Sequence, residues 1–522
     1  MKRILTILFL SSAMAVTLGA QTVDEAVRYT QNNYYGTARS VALGSAMTAV
    51  GGDLGSIEIN PAGSAVANYS QFSITPNLSF SIGNASYYPI AGEQSTNQTS
   101  ASKTRFQLPN VGVTGRLDLG VTRGLKSITF GFISNTTNNY LNNVDAYGIN
   151  GHTSFMGAMA ATASGEGFSP EVLSKSDSYY EQGSGAPSWN SILAYRANLI
   201  GCIDDIYNYY VGSTENVVYD DYYDVKLGGD LNQIFKEQEV GCKRDLIFNL
   251  GFNISDKLYL GANLGMPVIN YSSVDFLQED ALDWKDFQTT FKSANYTYTY
   301  NANLTGVYGK FGFIYRPVSG LRIGGAIQTP TLYNIRESWW LDGMSYYDES
   351  GYNASESTPK AEYSYFIRTP FFYNLGIAYT FNSIALISFD WERTDYSSTR
   401  YRASRSSISE SSYQYINNDI SRQCTAVNEF RVGAEVKPLP SMAIRAGYNQ
   451  KQDIRAISAG FGYSSAGPFY VDFAAKWTRF GNIYYSPYAD YIELEGGAMY
   501  PSASVVSSRS LLDFMFTFGW RF

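Results

Sequence analysis

Histidine is almost missing: the 522 residues contain one, His152. Catalytic designs that pair imidazoles, and metal sites built from several of them, have nothing to draw on. Cysteine is scarce as well, since Cys202, Cys242 and Cys424 are too few for a disulfide scaffold or a four-thiolate zinc site. Only 16% of residues are charged, and acids outnumber bases 46 to 38, a net charge of −8. That balance leaves no basic stripe for nucleic acid. Past the N-terminus no apolar run reaches about 18 residues, so no helix is expected to span a membrane. What the chain does have is aromatic and flexible: 44 Tyr, 30 Phe and 47 Gly, at a mean hydropathy of −0.19. This is neither a disordered chain nor a helical membrane protein. Its length suits several ordinary domains or one very large closed sheet, and the composition favours the sheet.

The chain opens as an export leader. Lys2 and Arg3 precede the apolar run Ile4–Leu10, the small and apolar stretch Ser11–Ala20, and polar Gln21 and Thr22. Residues 1–20 read as a secretory signal peptide. Leu18 is a poor residue three positions before a cut after Ala20, so the cut can also fall beside Gly19 or Gln21. No cysteine follows that would make a lipoprotein.

Beyond the leader the dominant signal is alternation. Leu512, Phe514, Phe516, Phe518, Trp520 and Phe522 alternate with Asp513, Met515, Thr517, Gly519 and Arg521. A greasy face opposite a mixed one suits a strand between lipid and a polar lumen. Phe518, Trp520 and Phe522 read as a barrel-insertion signal, which makes the barrel-assembly machinery and outer-membrane lipid expected partners. The same period recurs in Phe469, Val471, Phe473, Ala475 and Trp477, and in Ile387, Phe389 and Trp391. Turn chemistry marks short links near 118–124, 255–257, 317–320, 381–383, 438–441 and 464–468. Longer polar links fall at about 84–103, 141–241, 276–293, 341–360, 398–424, 450–454 and 483–508. The two kinds alternate, and together they imply an all-β fold: a fourteen-stranded antiparallel transmembrane β-barrel over 70–522, short turns in the periplasm and long loops outside. Soluble β-sandwiches would alternate too, but explain the terminal Phe522 poorly. A wall this wide cannot fill its own lumen, which must hold water, ligand or a plug.

Residues 21–69 supply the plug. Gly, Ala and Ser abound in Gly36-Thr37-Ala38-Arg39, Ala46–Gly52 and Asn60-Pro61-Ala62-Gly63. Small residues permit close backbone packing, and the last motif forces a helix stop or tight turn. With Asp256–Gly261 and Leu321–Pro330, these motifs resemble the FadL/TodX-type family of outer-membrane transporters for hydrophobic compounds, in its Bacteroidetes-type branch, over essentially the whole mature chain. The resemblance implies an N-terminal hatch, with Asn60, Pro61, Ala62 and Gly63 as its motif. It also implies sideways exit through a break in the third strand, about 127–140, where Gly131 is the candidate kink.

The loop at 141–241 offers a candidate binding site. Phe155, Met156 and Met159 are unusually apolar for a surface loop, and Trp189, Ile192, Leu193 and Leu199 recur at helical spacing. Such side chains adapt to flexible apolar ligands; they equally suit a small core within the loop. His152 is a possible haem ligand under a haemin-receptor reading, or an exposed loop residue. Cys202 and Cys242 bracket part of the long loop and could pair along the oxidising export route. Asp220, Asp221 and Asp224 gather carboxylates without EF-hand spacing, and the serine-rich 403–412 has no nucleophile elbow. The expectation is a non-enzyme without cofactors that passes hydrophobic compounds, long-chain fatty acids foremost, by energy-independent diffusion. The alternative is a secretion accessory that holds a protein partner.

Overall fold

Apolar side chains at every second position oblige each strand to turn one face to lipid and the other inward. The computed structural model describes residues 22–181, 185–219, 223–382, 384–404, 410–493 and 499–522. The leader, Asp220, Asp221 and residues 405–409 of the serine-rich segment lie outside them. Fourteen wall strands follow in chain order. They are β1 (Gln71–Tyr88), β2 (Asn97–Asp118), β3 (Leu125–Asn139, resuming as Asn142–Asn150), β4 (Leu231–Ile254), β5 (Leu258–Ala281) and β6 (Phe291–Tyr315). Next come β7 (Leu321–Gln328 and Leu332–Tyr347), β8 (Ala361–Arg368 and Phe372–Phe381), β9 (Ala385–Asp395 and Arg400–Ala403) and β10 (Ala426–Leu439). The last are β11 (Met442–Lys451), β12 (Ile454–Ser464), β13 (Phe469–Tyr485) and β14 (Ser504–Arg521). Sequential neighbours pair antiparallel, and β1 closes on β14 from Gln71↔Arg521 to Tyr88↔Ser504. Ser70 and Phe522 exchange two backbone hydrogen bonds of 3.0 Å at the seam.

Phe130, Phe311, Leu375, Ile444, Phe518, Trp520 and Phe522 stay exposed on the outside. Asp390, Arg431, Asp472, Lys476 and Asp513 are buried on the inside. An apolar exterior around a charged interior is the arrangement of an outer-membrane barrel. No described helix is long and apolar enough to cross a membrane. Several strands run further outward than their turn signals indicate: β1 continues past Ile82 to Tyr88, and 450–454 contracts to a hairpin turn with Gln452 at φ 50°. Strands of this length stand beyond the bilayer, where polar residues no longer mark a strand end.

Residues 22–67 fold into the lumen. Thr22 and Glu25 form a capping box at α1 (Val23–Thr30), and Thr37 caps α2 (Ala38–Ala42). α3 (Ser56–Ile59) leads into a 3₁₀ turn over Pro61–Val66, which Asn60 caps through its side-chain oxygen on the Ala62 amide, 3.1 Å. Proline at the first position gives up no needed donor there. Above the hatch, the segment between β3 and β4 supplies α4 (Phe155–Glu166), α5 (Pro170–Ser174) and α6 (Trp189–Arg196). Two hairpins follow, Ile200–Asp204 with Tyr209–Gly212 and Glu215–Tyr219 with Tyr223–Leu227. α7 (Gln414–Gln423) lies between β9 and β10.

Candidate transport site

Three places along the lumen have distinct chemistry, beginning at the hatch seat. Wall glycines make room for the hatch backbone: a Cβ on Gly261 would overlap Pro61 and Ala62, one on Gly312 would overlap Asn60, and one on Gly447 would overlap Gly44. Wall amides then read the hatch carbonyls. Asn249 donates to the Pro61 oxygen at 3.0 Å, Asn263 to Ile57 at 2.8 Å and Asn374 to Ile59 at 3.2 Å. Asn60 itself donates to the Thr48 and Phe313 oxygens at 2.6 and 3.0 Å. Charges complete the seat. Arg39 of α2 pairs with Glu435 at 3.2 Å, and Arg445 bridges Glu435 and Asp472 at 2.6 and 2.5 Å. Fully buried Arg431 binds Glu392 at 2.9 Å beneath the ring of Tyr34, whose hydroxyl donates to the same carboxylate at 3.0 Å. Burial pushes the Glu58 carboxyl of the hatch well above its usual range, with the Asp245 charge adding to the rise. A polar cavity of about 230 Å³ opens on the periplasmic side beside Arg39, Asp53, Tyr69, Tyr470 and Arg521.

The second place is the cap. Phe155, Met156, Met159, Ile192, Leu193 and Leu199 are buried together, with half-buried Trp189 packed against them. They do not lie on a surface loop: Trp189 meets Trp339 of β7 at 4.9 Å and Phe155 meets Tyr296 of β6 at 6.5 Å. The loop has folded down into the barrel mouth because its small apolar helices have no other face to bury. Glu279 of β5 fastens it, accepting from the Ser154 hydroxyl at 2.5 Å and the Phe155 amide at 2.8 Å at the start of α4, where a carboxylate also meets the helix dipole. The space beside Phe155, Phe235, Leu277 and Tyr488 measures about 10 Å³, too little for a ligand. The seven residues therefore meet as a closed core, and admit a ligand only if the cap moves.

The third place is a break in the wall. Pairing of β2 with β3 ends at Asn110↔Asn135, next to Pro109, which has no amide to give. Gly131 is not the kink: it pairs in register with Thr114 on one side and Asn249 on the other. The interruption falls at Tyr140 and Leu141, after which Asn142–Asn150 pairs with β4 alone and runs inside β1. The Ser81 hydroxyl donates to the Leu141 oxygen at 3.1 Å, and Gly83 leaves no room for a Cβ against Asn143. Between β2 and β4 side chains carry the link: Arg105 to the Gly241 oxygen (2.8 Å), Arg244 to the Leu108 oxygen (3.1 Å) and Lys103 to Gln238 (3.4 Å). Phe106, 65% exposed, stands on the outer face at this level. Pro109, where the β2–β3 pairing ends, is a sequence signal that could have located this break and that the choice of Gly131 missed.

No family model matches the sequence, and no curated protein matches it. Among solved structures, the P. putida toluene transporter TodX is 12% identical over 94% of this chain and 98% of its own, with a TM-score of 0.49. A Pseudomonas aeruginosa FadL homologue is 13% identical over 94% and 99%, also at 0.49. The Ralstonia pickettii toluene transporter TbuX is 14% identical over 93% and 98%, at 0.46. In fold, this chain is similar to FadL/TodX-type barrels. The remaining sequence candidates lie apart from the lumen features. His152 is exposed, with its ring 6.0 Å from that of Tyr500. Cys202, Cys242 and Cys424 are free thiols. Cys202 is held in a cap hairpin opposite Tyr210, whereas Cys242 is fixed in the wall opposite Asn139 and Asn270, so the pairing considered from sequence is not formed.

Proposed function

We propose that the barrel passes hydrophobic compounds across the outer membrane by diffusion, entering under the cap and leaving sideways between β2 and β4. The observation that carries this reading is the loss of backbone pairing above Asn110, in a wall that is otherwise zipped around its circumference. A water-soluble solute gains nothing from an exit into lipid, while an apolar one avoids water altogether. The hatch, keyed into the lower lumen, supports this route by closing the straight path to the periplasm. Long-chain fatty acids are the cargo that the family resemblance implies; the charge of the upper lumen favours another class.

The test is to close the break. Lys103 and Gln238 touch across it, so Lys103→Cys with Gln238→Cys, in a chain with Cys202, Cys242 and Cys424 changed to Ser, can be joined by a disulfide or a short cross-linker. Uptake of a neutral hydrophobic dye into reconstituted vesicles is expected to fall at least tenfold on closure and to recover on release. Uptake that ignores the bridge would place the route elsewhere. A protein copurifying in stable stoichiometry, without dye uptake, would favour the secretion-accessory reading.

A further inference from the structure

Between hatch and cap the lumen is lined by tyrosines and carboxylates, and the hatch presents one cation to them. Arg28 of α1 lies 4.7 Å over the Tyr271 ring and 3.4 Å from Glu239, which also accepts from the Tyr271 hydroxyl at 2.5 Å. Tyr29, Tyr140 and Tyr300 surround Tyr271 at 6.0, 5.4 and 6.1 Å between ring centres. A guanidinium between an aromatic face and a carboxylate is held by ring quadrupole and ion pairing together.

Acid exceeds base around this arginine. Glu237 and Asp275 interact with the charges of Arg28 and Glu239. Glu237 is 8% exposed, and its Oε2, like Oδ1 of Asp275, has no hydrogen-bond partner among the described residues. Arg509 also interacts with Glu239, but its guanidinium donates to the Asn139 oxygen at 2.9 Å and stacks on Phe480 at 4.3 Å. Buried carboxylate oxygens without donors are costly, and a cationic donor is what removes the cost. Solvent reaches the group as well: Arg28, Asp275 and Tyr298 are only half-buried.

We propose that this chamber binds hydrophobic organic cations, such as long-chain amines and alkylammonium ions, and disfavours fatty-acid carboxylates, with Arg28 as a tethered stand-in for the cationic head. The proposal rests on the reading that hydrophobic compounds enter this lumen, and narrows it. An arriving alkylammonium head takes the face of Tyr271 and the oxygens of Glu237, Glu239 and Asp275, while its chain lies along the aromatic wall below the cap. A carboxylate in the same place adds a like charge beside Glu237, Glu239 and Asp275, and the nearest cations, Arg28 and Arg509, already face Glu239.

The experiment compares decyltrimethylammonium, decanoate and decanol, equal in chain length, for binding and uptake by the full chain in lipid nanodiscs and vesicles. The cation is expected to bind at least tenfold more tightly than decanoate. Glu237→Gln is expected to cut that preference several-fold and Asp275→Asn to do likewise, while Arg28→Ala raises cation affinity about tenfold; heat-modifiable gel mobility checks that each variant is folded. Decanol uptake with decanoate bound as well as the cation, or a preference unchanged in both acid variants, overturns this proposal alone. Failure of decanol to enter overturns the passage reading and this proposal with it.

Discussion

The lower and upper lumen hold the same chain against the same wall by different means. Below, hatch backbone lies on wall glycines, wall asparagines bond to carbonyls of Ile57, Ile59 and Pro61, and Arg431 and Arg445 are paired within the wall beside it. Above, α1 and the cap meet the wall largely through rings, Tyr29 with Tyr271, Trp189 with Trp339 and Phe155 with Tyr296, fastened at single points by Glu279 and Glu239. Hydrogen bonds and buried ion pairs are directional and lose nearly everything on a small displacement, whereas aromatic packing tolerates offset and tilt. The lower lumen is therefore a fixed seat. On the proposed route, movement that admits cargo is expected of the cap and α1, beside the break in β3.

The largest expected effect comes from unseating the hatch. Gly312→Leu places a side chain where Asn60 and Pro61 lie, and the rigid wall leaves the hatch no way to yield by a few tenths of an ångström. Planar-bilayer recordings should then show a steady ion conductance well above that of the unaltered chain. A conductance no higher than that of the unaltered chain would mean that the seat is softer than its bonds indicate. Arg431→Met ranks next. It strands buried Glu392 and Glu429, which Arg431 meets at 2.9 and 3.4 Å, and breaking such a network costs about 3–5 kcal/mol. Denaturant titration followed by gel mobility should show that loss, and Tyr300→Phe in the upper lumen should show markedly less. Equal losses would erase the distinction between the two halves.

The wall was far more legible in the sequence than the lumen. Period-two alternation and turn chemistry mark fourteen strands because lipid on one side imposes the same demand on each of them, as in Phe514–Phe522. The Asn60–Gly63 motif was equally readable, since its proline and glycine act through the local backbone. The cap was harder. Phe155, Met159 and Trp189 have the same spacing whether they await a ligand or bury one another, and only the partners Tyr296 and Trp339, far along the chain, settle that they pack. Gly131 misled because glycine serves several purposes in a barrel: some wall glycines, such as Gly261, Gly312 and Gly447, make way for the hatch, others, such as Gly265 and Gly519, make way for a wall tyrosine, while the break depends on Pro109 and on the interruption at Leu141. The charge of the chamber was likewise hidden, because Glu239 and Asp275 meet through strand register and Arg28 reaches them only through the placement of α1 in the lumen.

The smallest predicted effect probes the upper half alone. Glu215, in a cap hairpin, is buried with its carboxylate accepting from the Gly212 amide at 2.7 Å. Burial raises its pKa to about 7, against the opposing hydrogen bonds from Gly212 and Tyr491, and Glu279 adds a neighbouring acid. A carboxyl raised in the folded cap favours folding while protonated. Its contribution is complete below the usual glutamate value near 4.5 and is lost as pH rises through about 7. The cap should therefore loosen between pH 5 and pH 8 by roughly 1–3 kcal/mol, read as faster amide exchange over 155–219 after correction for intrinsic rates. The hatch seat over 34–67 carries its own raised carboxyl, Glu58, so the comparison is made by substitution: Glu215→Gln should reduce the cap's response and leave the seat's unchanged. If the substitution shifts seat and cap together, the two halves of the lumen are one cooperative unit.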